Sequence, residues 1–104
     1  MKNSDVLLEV LDFLKQQKLV ESESEFSITW LGQCESYYRG LRHKKTEPTL
    51  GVVAICGHRL QKAGEQLKSA PEHANISKRF LDLSEQCYEL VNKDAVDVVA
   101  ALDG

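Results

Sequence analysis

No apolar run in this 104-residue chain approaches the ~18 residues a membrane-spanning helix needs, which argues against a spanning segment. Residues 1–5 also lack the basic-then-apolar order of a secretory signal, so the expectation is a cytoplasmic protein. Cysteine is scarce. Cys34, Cys56 and Cys87 are odd in number, widely spaced and without a C-x-x-C pair, which argues against a disulfide framework. Cys56 and Cys87 are expected to act as small core residues. The cysteines and His43, His58 and His73 lack the tight paired spacing of a zinc site. No carboxylate pair, glycine-rich phosphate loop or serine elbow is present either. Cys56-Gly57-His58 sets a thiol and an imidazole two residues apart, which on a helix points them to different faces. The expectation is a protein with no catalytic residue, no metal, no cofactor and no small-molecule substrate.

What the chain does have is 42% apolar and 28% charged residues, the balance of one soluble domain with a modest core. The net charge of −3 is unevenly spread. Residues 1–31 carry three Lys and six acids. Residues 32–68 carry seven Lys or Arg against three acids, and residues 69–104 carry three against seven. Screening acts over about 8 Å at physiological salt, so a central basic stripe can meet phosphates despite acidic flanks. A solvated surface face is the plain alternative.

Helical periodicity dominates. Ser4 and Asp5 open a first helix, to about Lys18, with Leu7, Val10, Leu11 and Leu14 at i, i+3, i+4 and i+7 and with Val6, Leu8 and Phe13 widening the stripe. Ser22 and Glu25 form a capping box for a second, with Phe26 and Trp30 one turn apart and Gly32 able to end it in the left-handed conformation. Cys34, Glu35 and Ser36 open a third helix that sets Tyr38 and Leu41 on one face. Pro48 makes residues 43–47 a loop. Thr49 then leads a fourth helix, with Leu50, Val53, Ala54, Gly57 and Leu60, or Val52, Ile55, Cys56 and Leu60, inward. Close helix approach is expected at Gly57, and an end near Gly64. Residues 68–73 read as a turn.

From Ala74, the series Ile76, Phe80, Leu83, Cys87 and Leu90 runs with period 3.5. It fits either a long helix packed on its own domain or a dimer seam. Residues 92–94 are expected to break the pattern, before a short helix or a strand through Ala95, Val98, Val99 and Leu102.

Gly32, Cys34, Tyr38, Leu41, Pro48, Leu50, Val53 and Leu60 match, without a gap, a pattern of turn glycine, small cap, buried apolar positions and proline. Residues 32–60 thereby resemble the DNA-binding core of the phage-repressor-like (Cro/repressor, XRE-type) helix-turn-helix family. Cys34 replaces the usual Ser or Thr, and Lys44 stands where a helix-ending Gly is common. The resemblance implies an all-α fold of five to six helices, with a helix-turn-helix core in residues 1–68 and a C-terminal helical extension in residues 69–104 that would dimerise it.

It also implies that the third helix enters the major groove of double-stranded DNA. Glu35, Ser36 and Arg39, with Gln33 beside them, would then read base edges. Arg42, His43, Lys44 and Lys45 would meet phosphates, joined by the Tyr37 hydroxyl and by the start of the second helix near Ser24. The expected function is a sequence-specific transcriptional regulator acting as a homodimer. The alternative is a helical protein-interaction module that keeps the fold without touching nucleic acid.

Overall fold

Five α-helices and one 3-10 turn make up the computed structural model, which describes residues 2–103, with side chains through residue 93; no strand occurs among them. Helix α1 (Asn3–Gln16) buries Val6, Leu7, Val10, Leu11, Phe13 and Leu14, the expected stripe widened by Val6 and Phe13, whereas Leu8 points out and is 49% exposed. It begins one residue before Ser4. Instead of accepting from its own helix, Ser4 donates its amide and hydroxyl to the Glu47 carboxylate, at 2.8 and 3.0 Å. A carboxylate from 43 residues away thus takes one of the amides that α1 leaves free, at the positive end of its dipole.

Helix α2 (Glu23–Thr29) starts as the capping box dictates: Ser22 Oγ accepts from the Glu25 amide at 3.1 Å. The Glu25 carboxylate reaches back to the Glu21 amide at 3.2 Å, one residue beyond the expected partner. Helix α3 (Tyr37–Lys44) is short and buries only Tyr38, which meets Phe26 of α2 edge-on at 5.3 Å. Helix α4 (Leu50–Leu67) is capped by Thr49 Oγ1, which accepts from the Val52 amide at 3.3 Å. Its buried side draws on both expected faces, with Val52, Val53, Cys56, Gly57 and Leu60 inward and Ile55 outward. It continues three residues past Gly64.

After the 3-10 turn Pro71–His73, α5 (Ala74–Asp103) runs unbroken for 30 residues, about 45 Å at 1.5 Å per residue. The break expected at residues 92–94 does not occur, and residues 94–103 are helix rather than strand. Asn and Asp cost a helix interior only about 0.7 kcal/mol each, and neither Gly nor Pro is present there to stop it.

Helices α4 and α5 pack antiparallel through a seven-residue repeat. Ser84 Oγ donates to the Gly57 carbonyl at 2.8 Å, and Ser77 Oγ to the Gly64 carbonyl at 2.7 Å. A Cβ added at Gly57 would stand 2.9 Å from Cys87 Cβ, and one at Gly64 would stand 2.8 Å from Leu81 Cγ and Cδ2. The two helices therefore meet where only hydrogen fits, as expected at Gly57.

The period-3.5 series lies in this same interior. Phe80, Leu83 and Cys87 are buried, and Ile76 and Leu90 pack against them. Phe80 meets Phe13 of α1 edge-on at 5.1 Å and stacks on Trp30 at 5.9 Å. Of the two readings of Ile76, Phe80, Leu83, Cys87 and Leu90, packing within the chain's own domain accounts for Phe80, Leu83 and Cys87, which are fully buried, while Ile76 and Leu90 are half-buried beside them. One buried cluster joins residues of all five helices, on both sides of residue 68.

Candidate nucleic-acid interface

Two small residues and an arginine fix the α2–turn–α3 unit. Gly32 adopts φ +66°, the left-handed conformation expected of it. Arg59, from α4, donates Nη1 to the carbonyls of Ile28 and Thr29 at 3.2 and 2.6 Å, neutralising the C-terminal end of α2. Ser27, buried in α2, donates to the Glu23 carbonyl at 2.9 Å and accepts from the Tyr38 amide at 3.0 Å. That single hydroxyl ties α3 to α2 and occupies one of the amides at the N-terminus of α3.

Helix α3 starts at Tyr37, not at Cys34. A thiol is a weak acceptor and caps poorly. The Cys34 carbonyl accepts from the Tyr37 amide at 3.1 Å, closing a turn instead. Of the four base-contact candidates, Gln33, Glu35 and Ser36 therefore lie on the turn before the helix, and Arg39 alone stands on it. The corrected helix carries Arg39, Arg42, His43 and Lys44, all exposed, with exposed Lys45 as its cap.

Arg42 is not free. Its Nε and Nη2 donate to both oxygens of Glu23 at 2.8 Å, a two-pronged pair that draws the Glu23 carboxyl below the usual carboxylate range. Tyr37 is half-buried. Burial raises its phenol above the ordinary value, and a hydrogen bond with the Thr49 backbone offsets part of that rise. Ser24 is half-buried in the first turn of α2.

Among the described residues, only Arg42 and Arg79 form ion pairs, Arg79 with Glu9 at 2.6 Å. Arg39, His43, Lys44 and Lys45 have no carboxylate partner among them. Lys45 ends α3 with φ +56°, doing with a lysine what a glycine commonly does. Gly40 sits between Arg39 and Leu41 with nothing within 4 Å of where a Cβ would stand. Beside it is a shallow cleft of about 290 Å³ lined by Ser36, Tyr37, Lys44 and Thr46.

Sequence reading missed Arg59, Lys45 and Glu47 as structural parts of this unit. Arg59 is visible only as a member of the central basic segment, Lys45 only as a phosphate-contact candidate, and Glu47 only as a loop acid. Cys56 and His58 do diverge: the thiol is buried and the imidazole exposed. A hydrogen bond with Cys87, reinforced by burial, pushes the Cys56 thiol well above its ordinary value, so it stays protonated.

Among the described residues, no three His, Cys, Asp or Glu side chains converge as metal ligands, and no helix is long and apolar enough to cross a membrane. No curated protein and no solved structure matches the chain. The model of one family, DUF6626, a family of unknown function, matches residues 7–100, and the chain belongs to that family.

Proposed function

We propose that the protein binds double-stranded DNA through α3 and acts as a sequence-specific regulator. The observation that carries this reading is a short exposed helix bearing Arg39, His43, Lys44 and Lys45, with no ion-pair partner for them among the described residues. Within it, Arg39 and His43 are one turn apart and would face the groove, while Lys44 and Lys45 would meet phosphates. Gly40 supports close approach of a backbone, because a helix glycine costs about 0.5–1 kcal/mol and nothing inside the protein requires this one.

The test is a salt series of mobility shifts on mixed duplex DNA. Binding is expected at low salt and should fall steeply as salt rises. Lys44→Ala should weaken all sequences alike and reduce the salt slope by about 1, while Arg39→Ala should cost about 1–3 kcal/mol on the preferred site only. A folded protein that shifts no duplex at low salt overturns the reading. The Arg42–Glu23 pair favours a second one, a protein-interaction module, because it removes a central cation from the surface that DNA would use.

A further inference from the structure

Ile55, Arg59, Lys62 and Gln66 recur along α4 at i, i+4, i+7 and i+11. That spacing aligns them on one side, half a turn round the helix from Gly57 and Gly64, which face α5. Arg59, Lys62 and Gln66, with His58 and Ala63, face Thr29 and Trp30 at the end of α2 across a cleft of about 330 Å³ that no carboxylate lines. At one end the surface is apolar: Ile28 is 52% exposed and Ile55 36% exposed, large fractions for isoleucines in a chain with so modest a core. Both flank Arg59, which lies beside Ile55 at Gly32 and holds the Ile28 carbonyl. Trp30, in the cleft wall, carries the only buried side-chain polar atom without a hydrogen-bond partner among the described residues, its Nε1.

We infer that this cleft is an interface between two copies of the chain, filled by the last turns of α5 of the second copy. A groove with exposed isoleucines at one end, Arg59 and Lys62 in its wall and no carboxylate suits an acidic amphipathic helix. The chain supplies one. Residues 94–103 are helical and contain Asp94, Asp97 and Asp103, no cation, and otherwise only Ala, Val and Leu.

A chain cannot fill its own cleft. Gly64 meets Phe80 and Leu81 across the helix pair and Gly57 meets Cys87, so Lys62 lies nearly level with residues 80–82. Asp97 is some 16 residues further along the same unbroken helix, about 24 Å away at 1.5 Å per residue. A stiff helix does not turn back over that span, whereas two copies exchanging α5 ends close as a two-fold pair. No residue of α3 takes part, so this assignment stands or falls independently of DNA binding.

Sedimentation equilibrium of the full chain, read together with the emission of Trp30, tests it, because Trp30 is the only tryptophan and lines the cleft. A dimer is expected that loosens as salt rises, with a Trp30 emission change that tracks association. Lys62→Glu and Asp97→Lys should each weaken the dimer by about tenfold or more, and the two together should restore most of the loss. Lys68→Glu, outside the cleft, should change nothing. Circular dichroism confirms that each variant keeps its helix content. A monomer at every concentration up to the millimolar range overturns the inference, as does a dimer insensitive to both charge reversals.

Discussion

The α4–α5 pair and the α2–turn–α3 unit are both two-helix units, yet they are held together by different physics. Between α4 and α5, glycines and serines repeat every seven residues, backbones approach until a Cβ would collide, and each serine hydroxyl satisfies a carbonyl on the other helix. Between α2 and α3 the connections are few and discrete: the buried Ser27 hydroxyl, one buried aromatic contact and the exposed Arg42–Glu23 pair, with Arg59 of α4 clamping the end of α2. The first unit gains stability from buried area and packing. The second presents side chains outward and leans on the first. That division of labour is what a small domain needs if a short helix is to be displayed rather than buried.

The contrast is broken most easily by truncating the residue that joins the packed half. Phe80 is 1% exposed and touches both Phe13 and Trp30. Phe80→Ala is expected to cost about 3–5 kcal/mol, measured by urea unfolding. Leu41→Ala, at a half-buried site on α3, should cost clearly less. Equal losses would mean that α3 belongs to the core as fully as α5 does.

A sharper test uses one chemical change at two sites. Gly57→Ala places a methyl 2.9 Å from Cys87 Cβ, an atom that cannot rotate away, so the helices must part. The expected net loss is about 1–2 kcal/mol, even after alanine's better helix propensity. Gly64→Ala should cost less, because its nearest obstacle, Leu81 Cγ and Cδ2 at 2.8 Å, can rotate and the fixed Phe80 Cβ is farther, at 3.2 Å. Gly40→Ala meets open space and should stabilise by about 0.5–1 kcal/mol. If DNA approaches α3 closely, the same Gly40 variant, though more stable, should also bind duplex more weakly than the parent chain. Thermal melts and mobility shifts read the two effects separately.

The two halves were also unequally legible in the sequence. Periodicity reports burial, so α1, α4 and most of α5 follow from the spacing of Leu, Val and Phe. The caps at Ser22 and Thr49 and the turn at Gly32 follow from local chemistry. What the sequence did not yield depends on contacts between distant residues. Glu47 reaches Ser4 across 43 positions, Arg59 reaches Thr29 across 30, and Arg42 reaches Glu23 across 19. The start of α3 was misplaced because a turn closed by a backbone carbonyl leaves no side-chain signature at Cys34. The period-3.5 series in α5, which fits either a dimer seam or a helix packed on its own domain, places Phe80, Leu83 and Cys87 in intramolecular packing. Period alone states that a face is covered, not by which chain.

The smallest expected effect concerns acid, and it isolates the α2–α3 half. The two-pronged hydrogen bond from Arg42 depresses the Glu23 carboxyl in the folded state, with desolvation opposing it. A group whose folded value lies below its unfolded one contributes stability that is complete above the unfolded carboxylate range. That contribution is lost as pH falls through the depressed value. The parent chain should therefore be more stable than Glu23→Gln near neutral pH, and the gap should close as pH drops through the acid range, as read by urea unfolding at stepped pH. The gap itself should be modest, because both partners are solvent-accessible, and it should shrink in high salt. A gap that does not change with pH would mean that Glu23 supports α3 through packing rather than charge. The α2–α3 half would then differ from the α4–α5 pair in degree, not in kind.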